Sequence, residues 1–402
     1  MKKIKYLMTF VFLSLLLVSG CKDYVTNIDP LIDAVEDSRL NQPSQVDFLI
    51  TGVKAQFSFT IDNLLVIADG LSDQFIFTFD VPNATYPTFE DIDKGDIQKD
   101  NNSVDGPFNN LGELRFFADN LVERVGQISG LSDTKKEEAL YTGYLFGGLA
   151  RYYYATYFGL NPTEGGGVID AGPFIPSQKM YDLAAEKLTE ALKHTNDAYQ
   201  KRVVNSLLAR LYLYKGDYAK ADSYAENGMV SGDNPFQALY TIQSDNYYWE
   251  QAGEPRSQFV CDFRFHDYVV NDPAEAARIP LSPITGNSGK VYYFQEKYPT
   301  ADSPINHMTW QENNLMLAEL SLRGANSKDA LALVNEVRQS HGLSDLSSID
   351  LDGIYVERDK ELFCTGNRLP DERRFNKFHL PSGSWQYFPI TQNERNANPN
   401  LK

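Results

Sequence analysis

The sequence predicts a mainly α-helical fold built from antiparallel helix pairs, with long irregular loops and a few short strands. Three observations carry that expectation. Apolar and small residues recur at helical spacing through much of the chain. Gly216, Ala221 and Ala225 mark a tight turn between two closely packed helices. Residues 232–305, by contrast, are rich in Gly, Pro, Asn and aromatics, which suits loops and short strands.

The chain opens differently. Met1, Lys2, Lys3 and Lys5 make a positive start, Tyr6 to Val18 are almost all apolar, and Ser19 and Gly20 are small. That is the layout of a bacterial export signal over residues 1–20. Its apolar run is shorter than the roughly 20 residues a spanning helix needs. "VSGC" resembles the lipobox of bacterial lipoproteins, which makes Cys21 the lipidated first residue of the mature chain. Two or more acyl chains anchor stably, at about 0.8 kcal/mol per buried CH₂. Membrane attachment is therefore expected through lipid only. Lys22 stands where an Asp would resemble inner-membrane retention, so the expected place is the cell outer membrane. The acidic segment after it, with Asp23, Asp29, Asp33, Glu36 and Asp37, resembles surface-export tethers and points the protein outward.

Residues 21–45 read as a lipidated tether and a first short helix, and residues 46–402 as a single helical domain. An amphipathic helix is predicted from Val46 to Gly70, and an exposed loop over 72–108. Helix pairs follow near 137–197, 202–230 and 311–341. In the second pair Ala209 is small, Tyr212 follows and Gly216 ends the helix. This resembles a tetratricopeptide pair, in which small residues let two antiparallel helices approach. The "GGG" at 165–167 reads as a flexible loop.

Composition excludes some functions. The formal charge is −17, and removing residues 1–20, with three lysines and no acids, brings it to −20. So acidic a chain is unsuited to phosphate backbones, and no nucleic-acid partner is expected. Of three cysteines, Cys261 and Cys364 sit among apolar neighbours and read as buried free thiols, although an exported chain permits a disulfide.

The C-terminal third narrows the class. "IYVERDKELFCTGNRLPDERRFNKF" carries Glu357, Arg358, Glu361, Leu362, Gly366, Arg368, Asp371 and Arg374, and "YFPITQNERNANPNL" closes the chain. With the lipobox, "YYYATYFG" and "LLARLYLYKGDYAKA", these segments resemble the SusD/RagB family of Bacteroidota outer-membrane lipoproteins. Thr365 and Glu372 depart from that pattern, where Glu and Leu are usual. The resemblance implies a SusD-like α-helical scaffold, a nutrient-binding rather than enzymatic role, and a SusC-like TonB-dependent outer-membrane transporter as partner.

No motif for catalysis, metal or cofactor binding is found. The five histidines lack ligand spacing, and "DIDKGDIQKDNN" has Asn102 where a calcium loop needs Glu. Glu357 and Glu361 are expected to pair with Arg358 and Arg368 in a structural role. Aromatic rings in loops suit sugar or peptide faces. The candidate ligand residues are Tyr86, Phe89, Tyr247, Tyr248, Trp249 and Trp310, while Trp385 is expected in the core. An oligosaccharide is the favoured ligand. An oligopeptide, a tetratricopeptide adaptor without small ligand, and a surface hydrolase are the alternatives.

Overall fold

The computed structural model describes residues 37–401. Cys21, the predicted signal and most of the tether lie outside the described residues. Where a first short helix was expected, two 3-10 turns stand, Asp37–Asn41 and Pro43–Gln45. They lead into α1 (Val46–Leu71), which buries Ile50, Val53, Phe57, Ile61, Leu64 and Leu65. The segment 72–108 is more ordered than its loop-like composition predicts. It contains β1 (Phe75–Ile76), α2 (Pro87–Asp93) and the start of α3 (Asn102–Val125). Local signals start both helices: Pro87 occupies a first-turn position, and the Asn101 side chain accepts from the Ser103 N–H at 2.9 Å.

α4 (Asp133–Tyr157) packs between α3 and α5 (Ser177–Lys193). α6 (Ala198–Lys215) then turns at Gly216 into α7 (Tyr218–Ala225). Gly216 has φ +83°, a left-handed conformation that favours glycine and closes the helix end. Ala209, Ala221 and Ala225 are buried, and Tyr212 stacks on Tyr224 with centroids 5.5 Å apart. Then come α8 (Tyr247–Ala252), α9 (Phe263–Asn271), α10 (Trp310–Leu322), α11 (Ala330–Ser340), α12 (Leu351–Glu361), α13 (Arg368–Arg374) and α14 (Gln392–Ala397). These fourteen helices, against strands of five residues or fewer, make the described chain mainly α. None of them is long and apolar enough to cross a membrane.

The glycine run is not a loop. β2 (Phe158–Asn161), β3 (Glu164–Gly167) and β4 (Ile175–Pro176) form an antiparallel meander. Side chains from elsewhere fill the space above β3. A Cβ on Gly165 would lie 2.3 Å from the Tyr387 ring, and one on Gly167 2.8 Å from Tyr154. Glycine is needed there for close approach, not for flexibility. The remaining strands are β5 (Phe236–Ala238), β6 (Val260–Cys261), β7 (Leu281–Thr285), β8 (Val291–Gln295), β9 (Ile305–Met308) and β10 (Phe388–Pro389). β6 pairs with β1, β9 with β5, and β7 with β8, while β10 lies parallel to β2. The closing residues are thereby tied to the end of α4. Trp385 is half-buried beside them, its N–H donating to the Gly95 carbonyl at 2.9 Å.

The charged C-terminal motif is structural, but its partners differ from those expected. Glu357 accepts from Arg278 at 2.8 Å and Arg338 at 2.9 Å. Arg358 is fully buried and forks onto Asp371 at 2.7 and 3.2 Å. Arg368 reaches back to Asp73, at 2.6 and 2.9 Å. Successive helical residues point about 100° apart, so Glu357 and Arg358 serve different sides of α12. Burial pushes the Asp371 carboxyl up, yet Arg358 and Arg374 more than offset this and hold it below the usual range. Cys261 and Cys364 are buried free thiols, and burial raises both.

Candidate ligand-binding site

Two buried carboxyl groups of α1 fix the segment that carries Tyr247 and Tyr248. Asp62 accepts from the Tyr247 N–H at 2.8 Å, and Asp69 from the Tyr248 hydroxyl and the Gly366 N–H, both at 2.8 Å. Burial raises each carboxyl to about 7. Asn246 caps α8, accepting from Tyr248 N–H at 2.9 Å and donating to the Ser303 carbonyl at 2.8 Å. The "DNYYWEQ" stretch is therefore a short capped helix rather than the loop its composition predicts.

A helix of this length points neighbouring rings in different directions. Tyr248 goes inward and is fully buried, while Tyr247 and Trp249 are half-buried, packed against the edge of the core. Phe89 is likewise fully buried, 4.8 Å from the Phe259 ring. Trp310 opens α10 and is buried, the Thr309 hydroxyl capping that helix through the Glu312 N–H at 3.1 Å. The structure thus places Phe89, Tyr248 and Trp310 in the core. Their ring faces pack against protein and present nothing to a ligand.

Tyr86, Tyr247 and Trp249 stay at the surface, and the first is tied to α8 through two residues the sequence did not single out. The Arg256 guanidinium lies over the Tyr86 ring, 5.5 Å from its centroid, and donates to its hydroxyl. Arg256 also pairs with Glu250 of α8 at 2.7 Å. Gln258 accepts from the N–H groups of Thr85 and Tyr86 at 2.9 and 3.0 Å, and donates to the Asn83 carbonyl. The loop bearing Tyr86 is thereby locked to the turn after α8.

The loop before Tyr86 is also tied to the β7–β8 hairpin. Asp80 accepts from the Ser288 N–H at 2.7 Å, the Ser288 hydroxyl at 2.6 Å and the Tyr292 hydroxyl at 3.0 Å. Beside it Phe79 is 52% exposed, its ring edge-on to Phe77. Across the hairpin, His266 stacks on Tyr293 with centroids 4.0 Å apart. The only signal for Phe79 was an aromatic in a polar stretch, "FTFDVP". The Tyr86–Arg256–Glu250 group and Gln258 together offer a ring, a guanidinium, a carboxylate and an amide. Among the described residues no group of three His, Cys, Asp or Glu is placed to hold a metal ion.

No family model and no curated protein matches this sequence. Solved structures do. A SusD superfamily protein from Bacteroides thetaiotaomicron superposes with a TM-score of 0.72 at 17% identity, covering 89% of this chain and 98% of that one. The chain has the SusD fold. Surface glycan-binding protein A from Bacteroides thetaiotaomicron matches the SusD-like scaffold at a TM-score of 0.70 and 14% identity, over 90% of this chain and 98% of the other. A laminarin-binding SusD-like protein matches at 0.70 and 16%, over 89% and 99%. At such identities the SusD-like likeness is one of fold.

Proposed function

We propose that this protein binds an oligosaccharide on the loop face formed by Tyr86, Tyr247 and Trp249, and performs no chemistry on it. The observation that supports this best is the Tyr86–Arg256–Glu250 chain. It holds a half-buried ring, a cation and an anion in fixed relation on a rigid scaffold. Flat rings dock apolar sugar faces, while the guanidinium, carboxylate and amides bond hydroxyls. The SusD fold adds to the case, since two neighbours of that fold are described as binding a glycan or laminarin.

The ligand is then delivered to a SusC-like TonB-dependent transporter in the outer membrane. The protein is anchored beside that partner through a lipidated Cys21 and faces outward. This part rests on the N-terminal and C-terminal sequence motifs.

Calorimetry against neutral glycans and mixed peptides tests the reading. Glycan binding is expected in the micromolar to millimolar range, roughly −4 to −8 kcal/mol. Trp249→Ala should weaken it about tenfold or more, near 1.4 kcal/mol. Peptide binding without glycan binding would replace the ligand class. Glycan affinity unchanged in both Trp249→Ala and Tyr86→Ala would remove the site. Detergent extraction with a stoichiometric large β-barrel attached is the expected result for the partner.

A further inference from the structure

An apolar groove of about 370 Å³ opens between α1, α4, the start of α6 and β5. Ala55, Tyr141, Leu145, Phe146, Val203 and Leu239 line it, and none of Tyr86, Tyr247 or Trp249 does. Its outer lip is fixed by hydrogen bonds to α1. The Leu239 N–H donates to the Ser58 hydroxyl at 3.0 Å, and the Tyr240 hydroxyl to the Ser58 carbonyl at 2.9 Å. Leu239 is left 66% exposed there, and Ile242 just beyond is 77% exposed. The lip thus keeps apolar surface still to bury.

The described chain begins at the same end of the bundle. Arg124 donates to the Asp37 carbonyl at 3.3 Å and to Asn41 at 2.8 Å, and its guanidinium pairs with the Asp37 carboxylate. The 3-10 turn Asp37–Asn41 packs on α1. The groove begins about one turn along α1, at Thr51. Just before it, Lys135 bridges Asp47 and Glu138, both at 2.6 Å.

Fifteen residues, Lys22 to Glu36, separate Cys21 from Asp37. Their sequence suits the groove. Ile28, Leu31, Ile32 and Val35 recur at i, i+3, i+4 and i+7, the spacing of one helix face. Asn27 is a preferred cap, and Pro30 falls in the first turn, where its missing N–H costs nothing. Asp29, Asp33 and Glu36 gather on the flank of that face, at about 100° per residue. Lys54 stands on the groove rim and forms no ion pair with any described residue, whereas Glu138 is already engaged by Lys135. A segment so short holds no helix alone in water, so its apolar face needs a surface to lie on.

We propose that residues 28–36 of this chain's own tether seat in the groove, with Ile28, Leu31, Ile32 and Val35 against its apolar floor and the acids toward Lys54. Extended, the fifteen residues reach about 50 Å from the anchor. With residues 28–36 seated, only Lys22 to Asn27 span the gap, about 20 Å. The tether then sets the height of the domain above the membrane and which end of it faces down. That consequence uses the lipidated Cys21 proposed above; the docking itself rests neither on it nor on the aromatic face.

The test is limited proteolysis at Glu36 by a glutamate-specific protease on the detergent-purified full-length protein, the cut identified by mass. Leu239→Asp places a charge on the exposed lip and leaves the circular dichroism unchanged. Cleavage in it should be about tenfold faster than in wild type, or more. Ile32→Asp should match it from the tether side. Lys54→Glu should speed cleavage about threefold, the scale of an exposed ion pair. A second measurement does not depend on rates. Ile32→Cys with Ala55→Cys should form an intramolecular disulfide on mild oxidation, and Ile32→Cys with Val291→Cys, outside the groove, should not. Cys261 and Cys364 are buried and stay out of the exchange. Equal cleavage in wild type, Leu239→Asp and Ile32→Asp would overturn the proposal. A disulfide found only between two molecules would give the groove to a second copy. Protection of Glu36 that appears only with a co-extracted β-barrel would give it to that partner. Either result overturns the proposal too.

Discussion

Between α6 and α7, three buried alanines and a stacked tyrosine pair hold two helices that are adjacent in sequence. Between α12, α13 and α1, buried ions do the equivalent work across the whole chain. Arg358 grips Asp371, and Arg368 grips Asp73, 295 residues away. Each region has a buried centre, yet the two respond differently to loss. An apolar contact that is trimmed leaves a small void, whereas an ion that loses its partner stays buried and uncompensated. The helix pair is thus tolerant and the charged seam is not.

The largest break should come from the seam. Arg358→Met should lower unfolding free energy by about 3–5 kcal/mol, read by urea denaturation, because Asp371 then keeps only Arg374. In the helix pair, Ala221→Leu forces a branched side chain between α6 and α7 and should cost about 1–3 kcal/mol. If the second variant proved the more damaging, the contrast between the regions would be reversed.

A finer test uses pH. Burial raises Asp69 from 3.8 to about 7 in the folded chain. Between those values the native state holds a proton that the unfolded state has released. Stability from this group is full below about pH 4 and is lost as pH rises through 7. Wild type should therefore lose up to about 1.4 kcal/mol per pH unit relative to Asp69→Asn between pH 5 and 7. Parallel stability profiles for the two proteins would show that Asp69 is not the titrating group.

The long helices were legible because apolar spacing and caps are local properties, and Gly216 announces its own turn. β3 was not, since a strand is recognised by its side chains and Gly165 to Gly167 have none. At the site, half-buried Tyr86, Tyr247 and Trp249 lie in the same strings as fully buried Phe89 and Tyr248. Nothing within "DNYYWEQ" says which ring turns inward; Asp69, 179 residues earlier than Tyr248, decides it. Arg256 and Gln258 were hidden for the same reason, since their partners Tyr86 and Thr85 are 170 and 173 residues away. The charged motif of α12 was readable as structural, but its pairing was not, because Arg278 and Arg338 come from elements that composition alone does not place beside it.

Asp69 has one more consequence, in the order of assembly. Its Oδ2 joins Tyr248 and Gly366, the latter 297 residues downstream. Contacts of such separation form late, after the intervening loops have closed. A chain emerging from its N-terminus can fold its helix pairs one by one, each from neighbours already present. It cannot complete the surroundings of α1 until the last tenth of the sequence has arrived. Until then Asp69 lacks its Gly366 donor, and Asp73 lacks Arg368. A chain cut short before Gly366 should therefore stay open at its first helix, however well its middle has formed.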